Sequence, residues 1–315
     1  MALVTTKKMF EKAFEGHYAV GAFNINNMEI IQGVVNAAKA QNSAVILQVS
    51  KSALKYAGPL YLKAMVDAAV QETGIDIALH LDHGPDIETV KECIAAGFTS
   101  VMFDGSHYDY EENVAKTKEV VDFAHSHGVV VEAELGKLAG VEDDVKVDAA
   151  NATYTDPDQA VDFVKRTGVD SLAIAIGTSH GAYKFAGEAK LDFDRLDTIT
   201  EKLEAAGIHN FPIVLHGASA VDESSVETCN KYGGKIAGAK GVPNEMLRKA
   251  ASKAVCKINM DTDLRLAMTA AIRKSFGEKP EAFDPRGYCG DARKLIQELV
   301  EMKIKDVLGA TDSMK

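Results

Sequence analysis

Ile75-Asp-Ile-Ala-Leu-His-Leu-Asp-His-Gly84, then Val90 and Ile94 at helical spacing, then Gly97-Phe-Thr-Ser-Val-Met-Phe-Asp104, reads as a buried strand, an amphipathic helix stopped by glycine, and a second buried strand. The same unit recurs on both sides of it. Short apolar, β-branched runs fall at Ala19–Asn24, Ala44–Ser50, Ile75–His83, Ser100–Asp104, Val129–Leu135, Ser171–Ile176, Phe211–His216 and Val255–Asp261. Between them lie helical patterns such as Ile30, Ile31, Val34, Val35 and Ala38, or Val120, Val121 and Ala124. Asp156-Pro157 offers an N-cap and first-turn proline, and Gly168 the stop, before Val169-Asp-Ser-Leu repeats the entry of Gly97 into its strand. Strands alternating with helices imply an α/β protein with a parallel sheet, and eight units most simply close into a (β/α)8 TIM barrel. An open doubly wound sheet shares the local pattern, but no G-x-G-x-x-G follows the first strand.

Two segments fall outside the repeat. Residues 137–155 are expected to form a long, acidic, structureless connection, of the kind that serves as a lid or binding loop. The barrel is expected over about residues 1–275 and a C-terminal arm over about 276–315. The arm holds a Pro-containing stretch from Lys279 to Tyr288 and a helix from Asp291 to about Leu308, a candidate subunit contact.

The 315 residues carry 35 Lys and Arg against 46 Asp and Glu, a net charge of −11 at pH 7. That balance argues against nucleic acid or a lipid surface held by a general positive field, while a local basic cluster can still grip a phosphate. With 46% hydrophobic residues the chain can bury a large core. No apolar run approaches the roughly 20 residues of a membrane span, and the N-terminus has no signal-peptide core, so a cytoplasmic location is expected. Cys93, Cys229, Cys256 and Cys289 are widely spaced and read as reduced thiols.

The polar residues concentrate where a barrel of this kind keeps its active site, at the C-terminal strand ends. In order these are Asn24, Ser50, Asp82 with His83, Asp104, Glu132 with Glu134, His180, His216, and Asn259 with Asp261. His83, His180 and His216, each followed by glycine, fit an open zinc site with one position left for substrate; a single histidine at a strand end is more often just hydrogen-bonded. Asp82 can act as a general base beside the metal or orient a histidine, and Asp104 and Glu134 can orient or hold a second cation. Glu132 and Glu134 share a strand face, so one of them can instead pair with a buried lysine. Gly217-Ala-Ser219 precedes a helix and can cradle a phosphate, or Ser219 can simply cap that helix; Asn259, Thr262 and Lys184 can add donors. The remaining histidines, including His80 and His107, are assigned structural or surface roles. No lysine stands at a strand end suited to a Schiff base, Lys257 being at the start of its strand.

Gly21-Ala-Phe-Asn-Ile-Asn-Asn-Met-Glu29, His80-Leu-Asp-His-Gly84, Gly177-Thr-Ser-His-Gly-Ala-Tyr-Lys184, Leu215-His-Gly-Ala-Ser219 and Asn259-Met-Asp-Thr-Asp263 together resemble the class II fructose-1,6-bisphosphate aldolases, shorter-chain subgroup (class IIB), from about Thr5 to Arg286. The resemblance implies reversible cleavage of fructose 1,6-bisphosphate to dihydroxyacetone phosphate and glyceraldehyde 3-phosphate in glycolysis and gluconeogenesis. It implies Zn2+ on His83, His180 and His216, an alternate or second metal position at Asp104 and Glu134, and Asp82 as the base at the C4 hydroxyl. Glu142 would handle the C3 proton. Lys184, Ser219, Asn259 and Thr262 would bind the C1 phosphate, with Gly181 and Gly217 carbonyls holding a monovalent cation (Na+ or K+). Asn24 would lie near the metal-bound substrate, Asp261 at the substrate hydroxyls, Ser50 and Arg265 at the distal phosphate, and Arg286 would reach it from another subunit of a homodimer or homotetramer. Tagatose 1,6-bisphosphate is the nearest rival substrate; Asn26-Asn27 and Asp261 look more like the fructose branch. A zinc hydrolase accounts for the histidines but not for two phosphate sites, and a non-catalytic sugar-phosphate sensor predicts binding without turnover.

Overall fold

Eight strands hydrogen-bond in parallel around a closed ring in the computed structural model. It describes residues 3–142, 145–147, 152–180 and 190–315, with backbone only at 141, 142, 145–147 and 180. In chain order the elements are α1 (Thr6–Gly16), β1 (Val20–Asn24), α2 (Met28–Ala40), β2 (Val45–Ser50), α3 (Lys51–Ala57), α4 (Pro59–Thr73), β3 (Ile77–Gly84), α5 (Ile87–Ala95), β4 (Ser100–Phe103), α6 (Tyr110–Ser126), β5 (Val130–Leu135), β6 (Ala139–Glu142), β7 (Val145–Val147), α7 (Pro157–Thr167), β8 (Ser171–Ile174), β9 (Ser179–His180), α8 (Phe193–Ala205), β10 (Ile213–Leu215), α9 (Glu223–Lys231), α10 (Asn244–Ala251), β11 (Val255–Met260), α11 (Thr262–Glu278) and α12 (Pro285–Met302), followed by a π-helix, Lys303–Leu308. The ring runs β1-β2-β3-β4-β5-β8-β10-β11 and closes on β1, so each barrel strand neighbours the next in sequence. All eight predicted runs supply one barrel strand each.

Two apolar layers hold the ring. Between strands and helices, residues such as Leu47, Leu79, Leu172 and Ile258 pack with Ile30, Val34, Val66 and Leu196. Inside the ring the side chains are smaller: Val20, Ala22, Ile46, Ala78 and Cys256 form one cluster, and Met102, Ala173 and Val214 another. Above them the two-residue period puts polar residues on the same inward face, so that Ile46 leads to Gln48 and Ser50, Ala78 to His80 and Asp82, and Met102 to Asp104. The register sets Gln48 beside His80, Ser50 beside Asp82, and Ala22 beside Asn259. The barrel interior is thus apolar below and polar toward the C-terminal strand ends.

Local signals behave as their chemistry requires. Asp156 accepts from the amides of Asp158 and Gln159, both at 2.9 Å, Pro157 fills the first helical position, and Gly168 closes α7 at φ +74°. Two expectations change. Residues 137–155 are not structureless: β6 pairs antiparallel with β7 and parallel with β9, and Lys137 bridges Thr153. Short apolar alternation in Val145-Lys-Val147 carries too little signal for a three-residue strand to be read from it. The last helix begins at Pro285 rather than Asp291, because Asp284 caps it through the Arg286 amide at 3.0 Å and proline starts the helix instead of breaking it. The π-helix then continues to Leu308, the predicted end.

α12 packs against α2 and α11. The approach to α2 depends on Gly33, where a Cβ would meet Ile296 Cγ2 at 2.7 Å and the Arg293 carbonyl at 3.0 Å. Among the described residues no helix is long and apolar enough to cross a membrane. Cys93, Cys229, Cys256 and Cys289 are free thiols, as read from their spacing.

Candidate active site

His83 occupies the most constrained position at the barrel mouth. Its φ is +48°, in the left-handed region, and the β3–β4 register shifts between Leu81 and Gly84. Such a conformation costs about 1–3 kcal/mol and persists only where its surroundings fix it. Gly84 allows it, since a Cβ there would lie 2.4 Å from the Met102 carbonyl. The bulge turns the imidazole so that Nδ1 meets Asp104 Oδ2 at 2.8 Å, with Glu134 Oε2 at 3.8 Å.

His216, just past β10, faces it: His216 Nδ1 lies 2.8 Å from His83 Nε2. Its other nitrogen, Nε2, lies 2.7 Å from Glu132 Oε1. Burial would raise the carboxyls of both Asp104 and Glu132. For Asp104 the hydrogen bond and charge of His83 overcome it, and for Glu132 the charge of Lys257 and the His216 hydrogen bond do, leaving both well below the usual range. Each carboxylate therefore takes the N–H of its histidine. The two remaining nitrogens, His83 Nε2 and His216 Nδ1, face each other, and Asn259 Nδ2 lies 3.0 Å from His216 Nδ1. Burial first, then the neighbouring His83, lowers the His216 pKa. Imidazole nitrogens gathered this closely with carboxylates, Asp82 beside His83 and His216 and Asp104 with Glu134 beside His83, make a donor set that fits a metal.

Glu132 is the carboxylate that pairs with a buried lysine. Lys257 Nζ lies 2.9 and 3.1 Å from its oxygens and 3.3 Å from His80 Nε2, and Lys257 is fully buried. His80 Nδ1 is 2.7 Å from Ser100 Oγ, and burial together with the Lys257 charge holds its pKa well below 6.5. This closed layer under the mouth leaves Lys257 tied and His80 structural, as assigned from sequence. Removing one partner would strand a buried charge at a cost of about 3–5 kcal/mol.

Asp82 is 1% exposed and held by three amides. Asn24 Nδ2 reaches Oδ2 at 2.8 Å, Gln48 Nε2 reaches the same oxygen at 3.2 Å, and Asn259 Nδ2 reaches Oδ1 at 3.1 Å. Oδ1 is 3.9 Å from His216 Nδ1. Asp82, His83 and His216 place one ligand atom each within 4.8 Å of one another, as do His83, Asp104 and Glu134. Among the described residues Gln48 Oε1 and Asn259 Oδ1 are buried acceptors that meet no hydrogen-bond donor. Gln48 was missed in the sequence; its sign was a polar residue on the Ser50 face of the apolar run Val45–Ser50.

Beside this cluster a hollow of about 490 Å³ is lined by Asn24, Ser50, Ser52, Tyr56, Asp261 and Arg265, among others. Arg265 Nε donates to Asp261 Oδ1 at 2.9 Å. On the other side, Ser219 Oγ accepts the Asp261 amide at 3.2 Å. Ser219 does not cap α9. Asp222 does, taking the Ser225 amide at 2.8 Å, because its short carboxylate stands directly before the helix while Ser219 is three residues earlier. The loop at 217–219 therefore precedes the helix rather than forming its first turn, and the next loop amides, Ala220 N and Asp222 N, donate to Asp263 at the start of α11. Arg286 is not brought to the mouth: 90% exposed and paired with Asp284, it borders a separate hollow with Met28, Glu29 and Gln32. Gly181 and Lys184, and the side chains of Glu142 and His180, lie outside the described residues; the backbones of these last two belong to β6 and β9.

The family model described as "Fructose-bisphosphate aldolase class-II" matches residues 4–313. The chain belongs to the class II fructose-bisphosphate aldolases. As a class II aldolase it is 50% identical to the fructose-bisphosphate aldolase of Giardia intestinalis, over 97% of this chain and 93% of that one. It is 48% identical to that of Treponema pallidum, over 98% and 97%. Among solved structures it resembles the YdjI aldolase of Escherichia coli K12, with a TM-score of 0.80 and 30% identity over 99% of this chain and 100% of that one. Class II membership implies a divalent metal, which the opposed histidines fit.

Proposed function

We propose that this class II aldolase reversibly cleaves D-fructose 1,6-bisphosphate between C3 and C4, giving dihydroxyacetone phosphate and D-glyceraldehyde 3-phosphate. The observation that supports this best is the Asp82 carboxylate, fixed by three amides next to the opposed His83 and His216. We assign Zn2+ to that site, held by His83, His216 and, from the family resemblance, His180, with Asp104 and Glu134 as an alternate or second position. When bound, the ion polarises the C2 ketone and stabilises the negative charge that develops there.

The residues do the rest. Asp82 takes the proton of the C4 hydroxyl; the C4–O bond becomes the aldehyde carbonyl as the C3–C4 pair moves onto the ketone portion. A proton returned to C3 completes dihydroxyacetone phosphate, a role assigned to Glu142. Asn24, Gln48 and Asn259 keep the base aimed, and the oxygens of Gln48 and Asn259, which meet no donor among the described residues, receive substrate hydroxyls. The loop with Gly217 and Ser219, with Thr262, Asn259 and Lys184, takes the C1 phosphate, and Gly181 and Gly217 hold a monovalent cation. Ser50 and Arg265 take the distal phosphate from the 490 Å³ hollow, with Asp261 at the hydroxyls. Arg286, far exposed, is assigned to a neighbouring subunit's site in a homodimer or homotetramer, and the enzyme to the cytoplasm. We read residues 1–315 as a single domain, the arm included.

The buried acceptors make stereochemistry the test. A site built to receive particular hydroxyls leaves them unpaired with the wrong epimer. In a coupled assay kcat/KM should favour fructose over tagatose 1,6-bisphosphate by at least about tenfold. Equal or reversed ratios would overturn the substrate assignment.

A further inference from the structure

Val221 has φ +57°, a left-handed conformation that a β-branched side chain resists. It lies in the loop 217–222, directly after the proposed phosphate residues. The amides on either side of it, Ala220 N and Asp222 N, donate to the two carboxylate oxygens of Asp263 at 3.2 and 3.1 Å. Asp263 is the second residue of α11 and 1% exposed. Its charge is met by Lys303 Nζ at 3.1 Å, itself 2% exposed, which also donates to Asn244 Oδ1 at 3.0 Å. Lys303 opens the π-helix that ends the C-terminal arm, and π-helical turns concentrate at functional positions.

The loop is also braced from behind. Val242 N donates to the Ser219 carbonyl at 3.2 Å, and a Cβ on Gly241 would lie 2.3 Å from that oxygen. Strained backbone survives only where its surroundings over-determine it, and here the determining contacts are Asp263 on the amides and Lys303 on Asp263.

We propose that Asp263 and Lys303 are positioning residues for phosphate binding: a buried ion pair from the C-terminal arm holds the Val221 turn in its left-handed form and so aims the 217–219 loop at the C1 phosphate. This rests on the reading of that loop as the C1-phosphate site. Uncharged at position 303, the arm leaves the Asp263 carboxylate unbalanced, the clamp on the two amides slackens, and the turn relaxes toward a conformation valine prefers. Glycine has no such preference, so it should tolerate the left-handed turn without the clamp.

The test uses the full-length zinc enzyme and Lys303→Met. Expected are a rise of about tenfold in KM for fructose 1,6-bisphosphate and in the calorimetric Kd of dihydroxyacetone phosphate, with kcat within about twofold and zinc content unchanged. Val221→Gly added to Lys303→Met should restore most of the lost affinity. A merely structural role would lower thermal stability and leave affinity alone. Unchanged affinity in Lys303→Met, or no rescue by Val221→Gly, would overturn the proposal. Should Lys303→Met fail to fold, the same measurements on Asp263→Asn with and without Val221→Gly decide it by the same outcomes. Absence of bisphosphate cleavage in the wild type would instead count against the aldolase reading, since dihydroxyacetone phosphate binding is read without turnover.

Discussion

Asp82→Asn is expected to lower kcat for fructose 1,6-bisphosphate by about 10²- to 10⁴-fold, the usual contribution of a positioned general base. The amide keeps the shape of the side chain but cannot accept the C4 hydroxyl proton. KM should change much less, because the proposed phosphate sites, the 217–219 loop and the hollow with Ser50 and Arg265, do not include Asp82. Zinc content distinguishes two readings of the same residue. Asp82, His83 and His216 are close enough to ligate one ion together. A variant that keeps its zinc and loses kcat marks Asp82 as the base; one that loses zinc in proportion to activity marks it as a ligand.

His216→Ala is expected to lose the metal and with it all measurable cleavage, while Glu132→Gln weakens zinc affinity by about 10- to 100-fold without touching the ion. The second effect follows from the tautomer. Glu132 accepts the His216 Nε2–H hydrogen bond at 2.7 Å and so leaves the Nδ1 lone pair on the side that faces His83, where a metal would be held. Lys257 keeps Glu132 ionised at the bottom of that chain. The neutral amide introduced by Glu132→Gln can offer its N–H side to the imidazole and favour the opposite tautomer. Competition with a chromogenic chelator reads both variants directly. Wild-type affinity in either would remove His216, or the Glu132 support, from the metal site.

The strands were legible because buried parallel strands are short apolar runs, and each of the eight stands where its run does. Their inward polar ends were legible for the same reason: period two carries Ala78 to Asp82 and Met102 to Asp104 on one face. What sequence could not give was the sideways reach of the side chains. Gln48 received no role from the sequence, and only the register places it beside His80 with its amide on Asp82. Glu132 and Glu134 were equivalent by spacing; only the position of Lys257 across the barrel separates the buried ion pair from the carboxylate near His83. Ser219 reads from sequence as a cap for the helix that follows it, and the structure gives that place to Asp222, which the sequence reading does not consider. Asp263 stood inside a quoted motif without a role, because its partners, two loop amides and Lys303, lie some 40 residues away on either side.

The most direct test of the account is cleavage of fructose 1,6-bisphosphate by protein stripped of metal, followed by zinc addition and by borohydride treatment in the presence of substrate. The account predicts no turnover without metal, recovery with Zn2+, and activity that survives borohydride, since no lysine forms a Schiff base and Lys257 is committed to Glu132. Cleavage that persists after complete metal removal, or inactivation by borohydride only when substrate is present, would contradict it.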